Sequence, residues 1–257
     1  MSAGKAGRMN CDRLARHYEI LERLTFGRRL EKRRFAFLAE RETAERALLC
    51  GDGDGRFLAE LLRVNAGVRV DFVDLSEGMI AIAERRVRKM GESFRERVRF
   101  FACDVMEFEP AVGGYDLISA HFFLDCFSEE EIGAVVGRVA GWGARDARWV
   151  VSEFCEAETS LKRAWTRAVI SGLYAAFRLT TGLRVTRLPD YARALAARGF
   201  CLRKRETDLG GLLCSGVWES SLGRAGYAPG QLFENGRKRP PVVTAATTGL
   251  RSASSES

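Results

Sequence analysis

The chain has 257 residues, 46% of them apolar, enough to bury the core of one large domain. Its 41 Lys and Arg against 34 Asp and Glu leave a net charge of +7, but the basic residues are scattered, which reads as a solvated basic surface and disfavours a nucleic-acid partner. The longest apolar stretch, residues 164–179, is interrupted by Arg167 and Arg178. It falls short of the roughly 20 apolar residues that cross a bilayer, so no transmembrane segment is expected and only peripheral membrane contact stays open.

Residues 1–10 are rich in Gly, Ser and Lys and read as loose. From Cys11 to Arg41 apolar residues recur at helical spacing, which predicts two amphipathic helices broken near Gly27, an N-terminal helical segment over 1–41. Strand and helix signals then alternate. Strand 47–50 leads through a glycine loop to helix 55–64, and strand 69–74 leads to helix 77–90 with Ser76 as its N-cap. Strands 98–103 and 115–121 follow. Ser128 and Glu131, at capping-box spacing, open the next helix. Strand 148–154, a long helical insertion over 159–183, helix 189–198 and a hairpin of strands 200–207 and 212–219 around Gly210-Gly211 complete the pattern. The alternation predicts an α/β fold: a doubly wound, mostly parallel seven-stranded sheet with an antiparallel terminal hairpin, over residues 42–220. Residues 221–257, rich in Gly, Pro, Ser and Thr, read as a disordered tail.

The seven cysteines show neither CxxC nor metal-ligand spacing, so no metal centre is expected. The N-terminus lacks the apolar core of a secretory signal. A reducing, cytoplasmic setting follows as the expectation.

Chemistry concentrates at three strand ends. Ala47-Leu48-Leu49-Cys50 runs into Gly51-Asp52-Gly53-Asp54-Gly55, and the next two strands end at Asp74 and Asp104. Ligands of open α/β sheets bind at the carboxyl ends of strands, where the strand order reverses. Glycines let the backbone approach a ligand, and an ionised carboxylate offers two oxygens to a ribose diol.

This order of glycine loop, two acidic strand ends and terminal hairpin resembles the class I S-adenosylmethionine-dependent methyltransferases. Val73-Asp74-Leu75-Ser76-Glu77-Gly78-Met79-Ile80 is similar to that family's V-D-x-S-x-x-M-L segment. The resemblance implies S-adenosyl-L-methionine as cofactor. It implies that Asp74 holds the ribose hydroxyls, Leu75 and Met79 line the adenine pocket, and Asp104 with the Val105 amide reads the adenine edge. It gives Gly51, Gly53 and Gly55 to the methionine part, and the Ala120 carbonyl to the amino group. One position departs: Leu49 stands where the family usually carries an acid two residues before the first glycine. The loop's own Asp52 and Asp54 are the candidates to replace it.

His121 ends the fourth strand, where the family's methyl-transfer site lies. It reads either as a catalytic base for an acceptor hydroxyl or as a hydrogen-bonded structural histidine. Arg28-Arg29 and Lys32-Arg33-Arg34 read as a solvated helix face. The function expected is direct methyl transfer to a small or amphipathic molecule, with an apolar acceptor pocket between Phe122, Phe123 and Leu124 and Leu173, Tyr174 and Phe177. Two rivals stay open. One is an NAD(P)-dependent oxidoreductase, which position 56 disfavours because Arg stands there in place of a third glycine. The other is a non-catalytic binding protein on the same fold, for which Leu49 is the only support. The sequence carries no signal for an oligomeric state.

Overall fold

A computed structural model describes residues 26, 28–38, 43–181 and 185–221, with only the backbone at 177 and 179–181. The expected helix before Gly27 and the expected tail beyond 221 lie outside the described residues.

Seven strands form one sheet: β1 (Arg46–Cys50), β2 (Arg69–Asp74), β3 (Val98–Ala102), β4 (Tyr115–His121), β5 (Gly143–Phe154), β6 (Phe200–Asp208) and β7 (Leu213–Ser220). Their order across the sheet is β3-β2-β1-β4-β5-β7-β6. The pairs from β3 to β5 are parallel, and β7 runs antiparallel to both β5 and β6. The order reverses between β1 and β4, so their carboxyl ends open the crevice where ligands of such sheets bind.

The helices are α1 (Arg29–Arg34), α2 (Arg56–Val64), α3 (Glu77–Arg88), α4 (Glu92–Arg95), α5 (Glu129–Gly141), α6 (Ser160–Thr181) and α7 (Tyr191–Ala197). Ser76 Oγ accepts from Met79 N at 3.1 Å and caps α3. Ser128 and Glu131 form the expected reciprocal capping box at α5. Alternate residues of each strand feed two apolar layers. Leu48, Cys50, Ile118, Trp149 and Val151 face one, with α5 and α7. Ala47, Leu49, Leu117 and Val150 face the other, with Phe57, Leu58, Leu61 and Leu62 of α2 and Ala83 and Val87 of α3.

Two expectations are corrected. Strand β5 begins at Gly143 rather than 148. Its first residues, with Arg145 and Asp146 exposed, pair beside Tyr115 across an irregular register between Tyr115 and Leu117. Such residues have low strand propensity, and pairing overrides it. The other correction concerns Arg33 and Arg34, which are not a solvated face: both are buried. Arg33 Nη1 lies 2.9 Å from Glu206 Oε2, and its carbonyl accepts from Ser152 Oγ and Ser215 Oγ at 3.0 and 2.7 Å.

A polar clasp crosses the parallel half of the sheet. Buried Asp71 on β2 receives Nε and Nη2 of Arg99 on β3, each at 2.6 Å, and the Tyr115 hydroxyl of β4 at 2.5 Å. Loss of the carboxylate leaves a buried hydroxyl without its acceptor. Asp71→Ala is expected to lower unfolding free energy by about 2–3 kcal/mol and Tyr115→Phe by about 1 kcal/mol. Urea denaturation of both variants measures this; equal stability to the parent chain would show that the clasp contributes nothing.

Candidate cofactor and active site

The loop after β1 is built for close approach. Gly51, Gly53 and Gly55 all have positive φ, at 62°, 64° and 73°, a region that costs an L side chain about 1–2 kcal/mol. Gly55 is the left-handed residue from which α2 starts. A Cβ there would meet Ala83 Cβ of α3 at 2.7 Å, and one at Gly51 would meet the Phe123 ring at 2.2 Å. At Gly53 the nearest atom would be Met79 Sδ, at 3.9 Å. The three glycines therefore serve different ends. Gly55 seats α2 against α3, Gly51 lets Phe123 close over the loop, and Gly53 borders open space.

The loop is tied to the end of β2. Gly51 N donates to Val73 O at 2.8 Å, and Gly53 N donates to Asp74 Oδ2 at 3.0 Å. Asp74 Oδ1 accepts from Ser76 N at 2.9 Å. One carboxylate thus fixes two loops, and its oxygens keep lone pairs for further donors. Leu75 beside it is 48% exposed, whereas Met79 is buried. At the end of β3, Asp104 is buried and accepts from Met106 N at 2.8 Å through Oδ1, and Val105 is buried next to it. Ala120 is buried between β1 and β5, opposite Cys50 and Val151.

The two loop acids part ways. Asp54 is taken up by Arg56 of α2 at 3.0 Å and by Arg86 of α3 at 3.2 Å, which ties the loop to both helices. Asp52 accepts from Leu58 N at 3.1 Å, capping the first turn of α2, while its other oxygen is buried with no hydrogen-bond partner. Burial pushes the Asp52 carboxyl up to about 7, and the nearby Arg34 guanidinium opposes that rise. Leu49, at the departing position, is buried among the apolar residues facing α2 and α3.

His121 is 2% exposed. Its ring meets Phe57 edge-on with centroids 4.5 Å apart, and Nδ1 lies 3.0 Å from Ser152 Oγ. Ser152 Oγ in turn reaches the Arg33 carbonyl. Of the two roles the sequence leaves open, these contacts favour the structural one.

The residues after β4 divide. Phe122, at a φ of 55°, packs with Phe154, Ile170, Tyr174 and Leu213, while Phe123 and Leu124 join the opposite layer. Leu173 packs against the first group, and the side chain of Phe177 lies outside the described residues. The expected acceptor residues thus come together only in part.

Sequence reasoning missed a buried carboxyl pair behind this loop. Glu153 Oε1 accepts from Phe123 N at 3.0 Å and Leu124 N at 2.7 Å. Burial raises both carboxyls, Asp125 to about 6 and Glu153 well above the usual range, where the nearby Asp125 adds to the rise. The Tyr174 hydroxyl donates to the Asp125 carbonyl at 3.2 Å. Arg34 was missed too. Its guanidinium sits 5.9 Å from the Phe122 ring centroid. Among the described residues, no group of His, Cys, Asp and Glu could hold a metal ion.

A family model described as a methyltransferase domain matches residues 48–147. No curated protein matches the chain. Among solved structures, an O-methyltransferase family protein from Burkholderia thailandensis is similar at a TM-score of 0.63 and 18% identity, over 84% of this chain and 64% of that one. Mitomycin 7-O-methyltransferase is similar at 0.58 and 16%, over 82% and 61%. Magnesium protoporphyrin IX methyltransferase from Synechocystis, solved with bound S-adenosylhomocysteine, is similar at 0.54 and 18%, over 75% and 82%. The chain spans less than two thirds of the length of the first two. Residues 48–147 are thus similar to a methyltransferase domain, and the fold is the Rossmann-like one of these methyltransferases.

The glycine geometry gives an order of effects. Gly55→Ala is expected to cost about 2–4 kcal/mol, from φ strain plus the overlap with Ala83. Gly53→Ala is expected to cost only the strain, about 1–2 kcal/mol. Thermal or denaturant unfolding compares the two; a reversed order would remove the close approach of α2 and α3 as the reason for Gly55.

Proposed function

We propose that this chain, a methyltransferase domain in the class I fold, binds S-adenosyl-L-methionine and transfers its methyl group to a small or amphipathic acceptor. The observation that carries the reading is Asp74. It stands at the end of β2 with both oxygens ordered by backbone N–H groups, beside a loop of three positive-φ glycines. The residues fit the cofactor. Asp74 would hold the ribose hydroxyls, with Leu75 and Met79 against the adenine and Asp104 with the Val105 amide at its edge. Gly51, Gly53 and the Ala120 carbonyl would border the methionine part, and the unpartnered oxygen of Asp52 would face its positive charge.

When bound, the cofactor supplies an electrophilic sulfonium methyl. The chain's own task is to align an acceptor and exclude water. Phe123, closed over Gly51 and held by Glu153, is placed for the second role. His121 enters as a positioning residue, joining β4 to β5 and, through Ser152, to α1. The small-molecule class rests on the apolar cluster of Phe122, Phe154, Ile170 and Tyr174. It also rests on fold neighbours named for mitomycin and magnesium protoporphyrin IX. No described helix is long and apolar enough to cross a membrane, and a cytoplasmic setting is part of the proposal.

Calorimetry with S-adenosylhomocysteine and with NAD tests the reading. Binding of the first and not the second is expected, and the reverse would make the oxidoreductase reading correct. Asp74→Ala should weaken S-adenosylhomocysteine by about 2–3 kcal/mol, with Asp74→Asn between it and the parent. Unchanged affinity in a folded Asp74→Ala protein would remove Asp74 from the site.

Asp52 gives the site a pH signature. In the fold its carboxyl keeps a proton up to about pH 7, whereas an unfolded one releases it near 4. The folded state binds more protons in that window, so the group's contribution to stability falls as pH rises from about 4 to 7. A cationic ligand prefers the ionised form, so its affinity should rise over the same climb. Between pH 5.5 and 7.5, S-adenosyl-L-methionine, which carries the sulfonium cation, is expected to bind on the order of tenfold tighter, and Asp52→Asn should flatten the change. An unaltered pH dependence in Asp52→Asn would show that Asp52 does not meet the ligand's charge.

A further inference from the structure

A cavity of about 430 Å³ opens on the antiparallel side of the sheet, between the end of β5, the start of α7 and strands β6 and β7. Its wall carries two cysteines, Cys155 and Cys214, together with Tyr191 and Arg205. The sheet register explains why the thiols meet. Cys214 on β7 stands opposite Glu153, and Cys155 N donates to Leu212 O at 2.8 Å. Cys155 therefore lies two residues beyond Cys214's partner, on the same face, as a diagonal neighbour across an antiparallel pair. The two thiols are close enough to shift each other's ionisation in opposite directions. Cys155 Sγ donates to Gly211 O at 3.1 Å, and the Tyr191 hydroxyl lies 3.3 Å from Cys214 Sγ.

We propose that Cys214 and Cys155 form an oxidisable dithiol. A small peroxide entering this cavity oxidises Cys214, and Cys155 then closes a disulfide. The Cys214 thiolate attacks the peroxide O–O bond, forming an S–O bond and releasing water once the leaving oxygen takes a proton. The Cys155 sulfur next attacks the sulfenic sulfur. An S–S bond forms, the S–O bond breaks, and the oxygen leaves as a second water with the Cys155 proton. The two thiols lose two electrons and the peroxide gains them. An external thiol reductant reverses the change.

The surroundings sort the two sulfurs into roles. The neighbouring Cys155 thiol draws Cys214 down to about 6; burial opposes this, and Tyr191 and Arg205 support it. Cys155 is pushed up by the proximity of Cys214 and by burial. The thiolate is the reactive form, so Cys214 is the attacking sulfur and Cys155 the resolving one. Six described cysteines, these two among them, are all thiols and none is in a disulfide. Glu153, opposite Cys214 in the sheet, also holds the Phe123 and Leu124 amides. A change of charge at Cys214 is therefore felt by the group that fixes the loop over Gly51.

The test uses the full chain treated with a modest excess of hydrogen peroxide, with remaining thiols alkylated and tryptic peptides read by mass spectrometry without reduction. The expected product joins the peptide 149–162 to the peptide 206–224, lighter by two hydrogens, and disappears with dithiothreitol. Cys214 is expected to react at least about tenfold faster than Cys103 or Cys201. In Cys155→Ser the sulfenic acid should persist at Cys214 and be trapped by dimedone; in Cys214→Ser, Cys155 should stay reduced. The linked peptide from the unmutated chain decides the matter if a variant fails to fold. Its absence, or prior oxidation of Cys103 or Cys201, overturns the proposal. Because the readout is thiol chemistry, it stands or falls independently of cofactor binding.

Discussion

The two bonds that join the glycine loop to the end of β2 are the constraint on which the site depends. Gly51 N to Val73 O and Gly53 N to Asp74 Oδ2 pull the first loop toward the second strand end. That approach requires backbone in the left-handed region at three positions, which only glycine adopts at low cost. With the loop held there, α2 starts at Gly55 and must pass within contact of α3 at Ala83. The helix–sheet packing and the ligand-facing edge are consequences of the same few backbone bonds. A residue that disturbed the loop would be felt in both.

Charge around this edge is arranged in layers. Asp54 is neutralised by Arg56 and Arg86 and serves structure. Asp52 gives one oxygen to the start of α2, where a carboxylate also suits the helix dipole, and keeps the other unpartnered. Arg34 reaches in from the N-terminal side and favours the ionised form of Asp52. The departure at Leu49 is thus compatible with an acid at the same edge.

The alternation of strand and helix was legible because buried parallel strands are short apolar runs and their ends carry Gly or Asp. Asp74, Asp104 and the capping box at Ser128 could be placed from spacing alone. Other features depend on contacts between distant segments and leave no local trace. Arg33 and Arg34 look like any charged helix face, yet both are buried, with the Arg33 carbonyl on Ser152 and Ser215 and its guanidinium beside Glu206. The first residues of β5 have poor strand propensity and pair because Tyr115 lies beside them. Asp125 and Glu153 are far apart in sequence, and nothing near either announces that they are buried as neighbours. His121 was visible as a candidate, but the direction of its ring follows from strand parity, which sets it with Leu117 toward Phe57.

Strand parity also explains why the buried polar groups collect where they do. On β5, Trp149, Val151, Glu153 and Cys155 share one face, and on β7 Cys214, Gly216 and Trp218 share it too. Toward the middle of the sheet this face is apolar and closed by α5 and α7. Toward the carboxyl end of β5 it passes to Glu153, then to the thiols, and then opens into the cavity. Backbone amides of the loop after β4 need an acceptor there, since no further strand residue supplies one, and Glu153 fills that need. The two amides favour an ionised Glu153, but its burial and the neighbouring Asp125 outweigh them and favour the protonated form. The antiparallel hairpin, by bringing β7 alongside, places Cys214 next to that carboxyl. The same strand reversal that ends the parallel sheet therefore links the loop over Gly51 to a chemically distinct cavity.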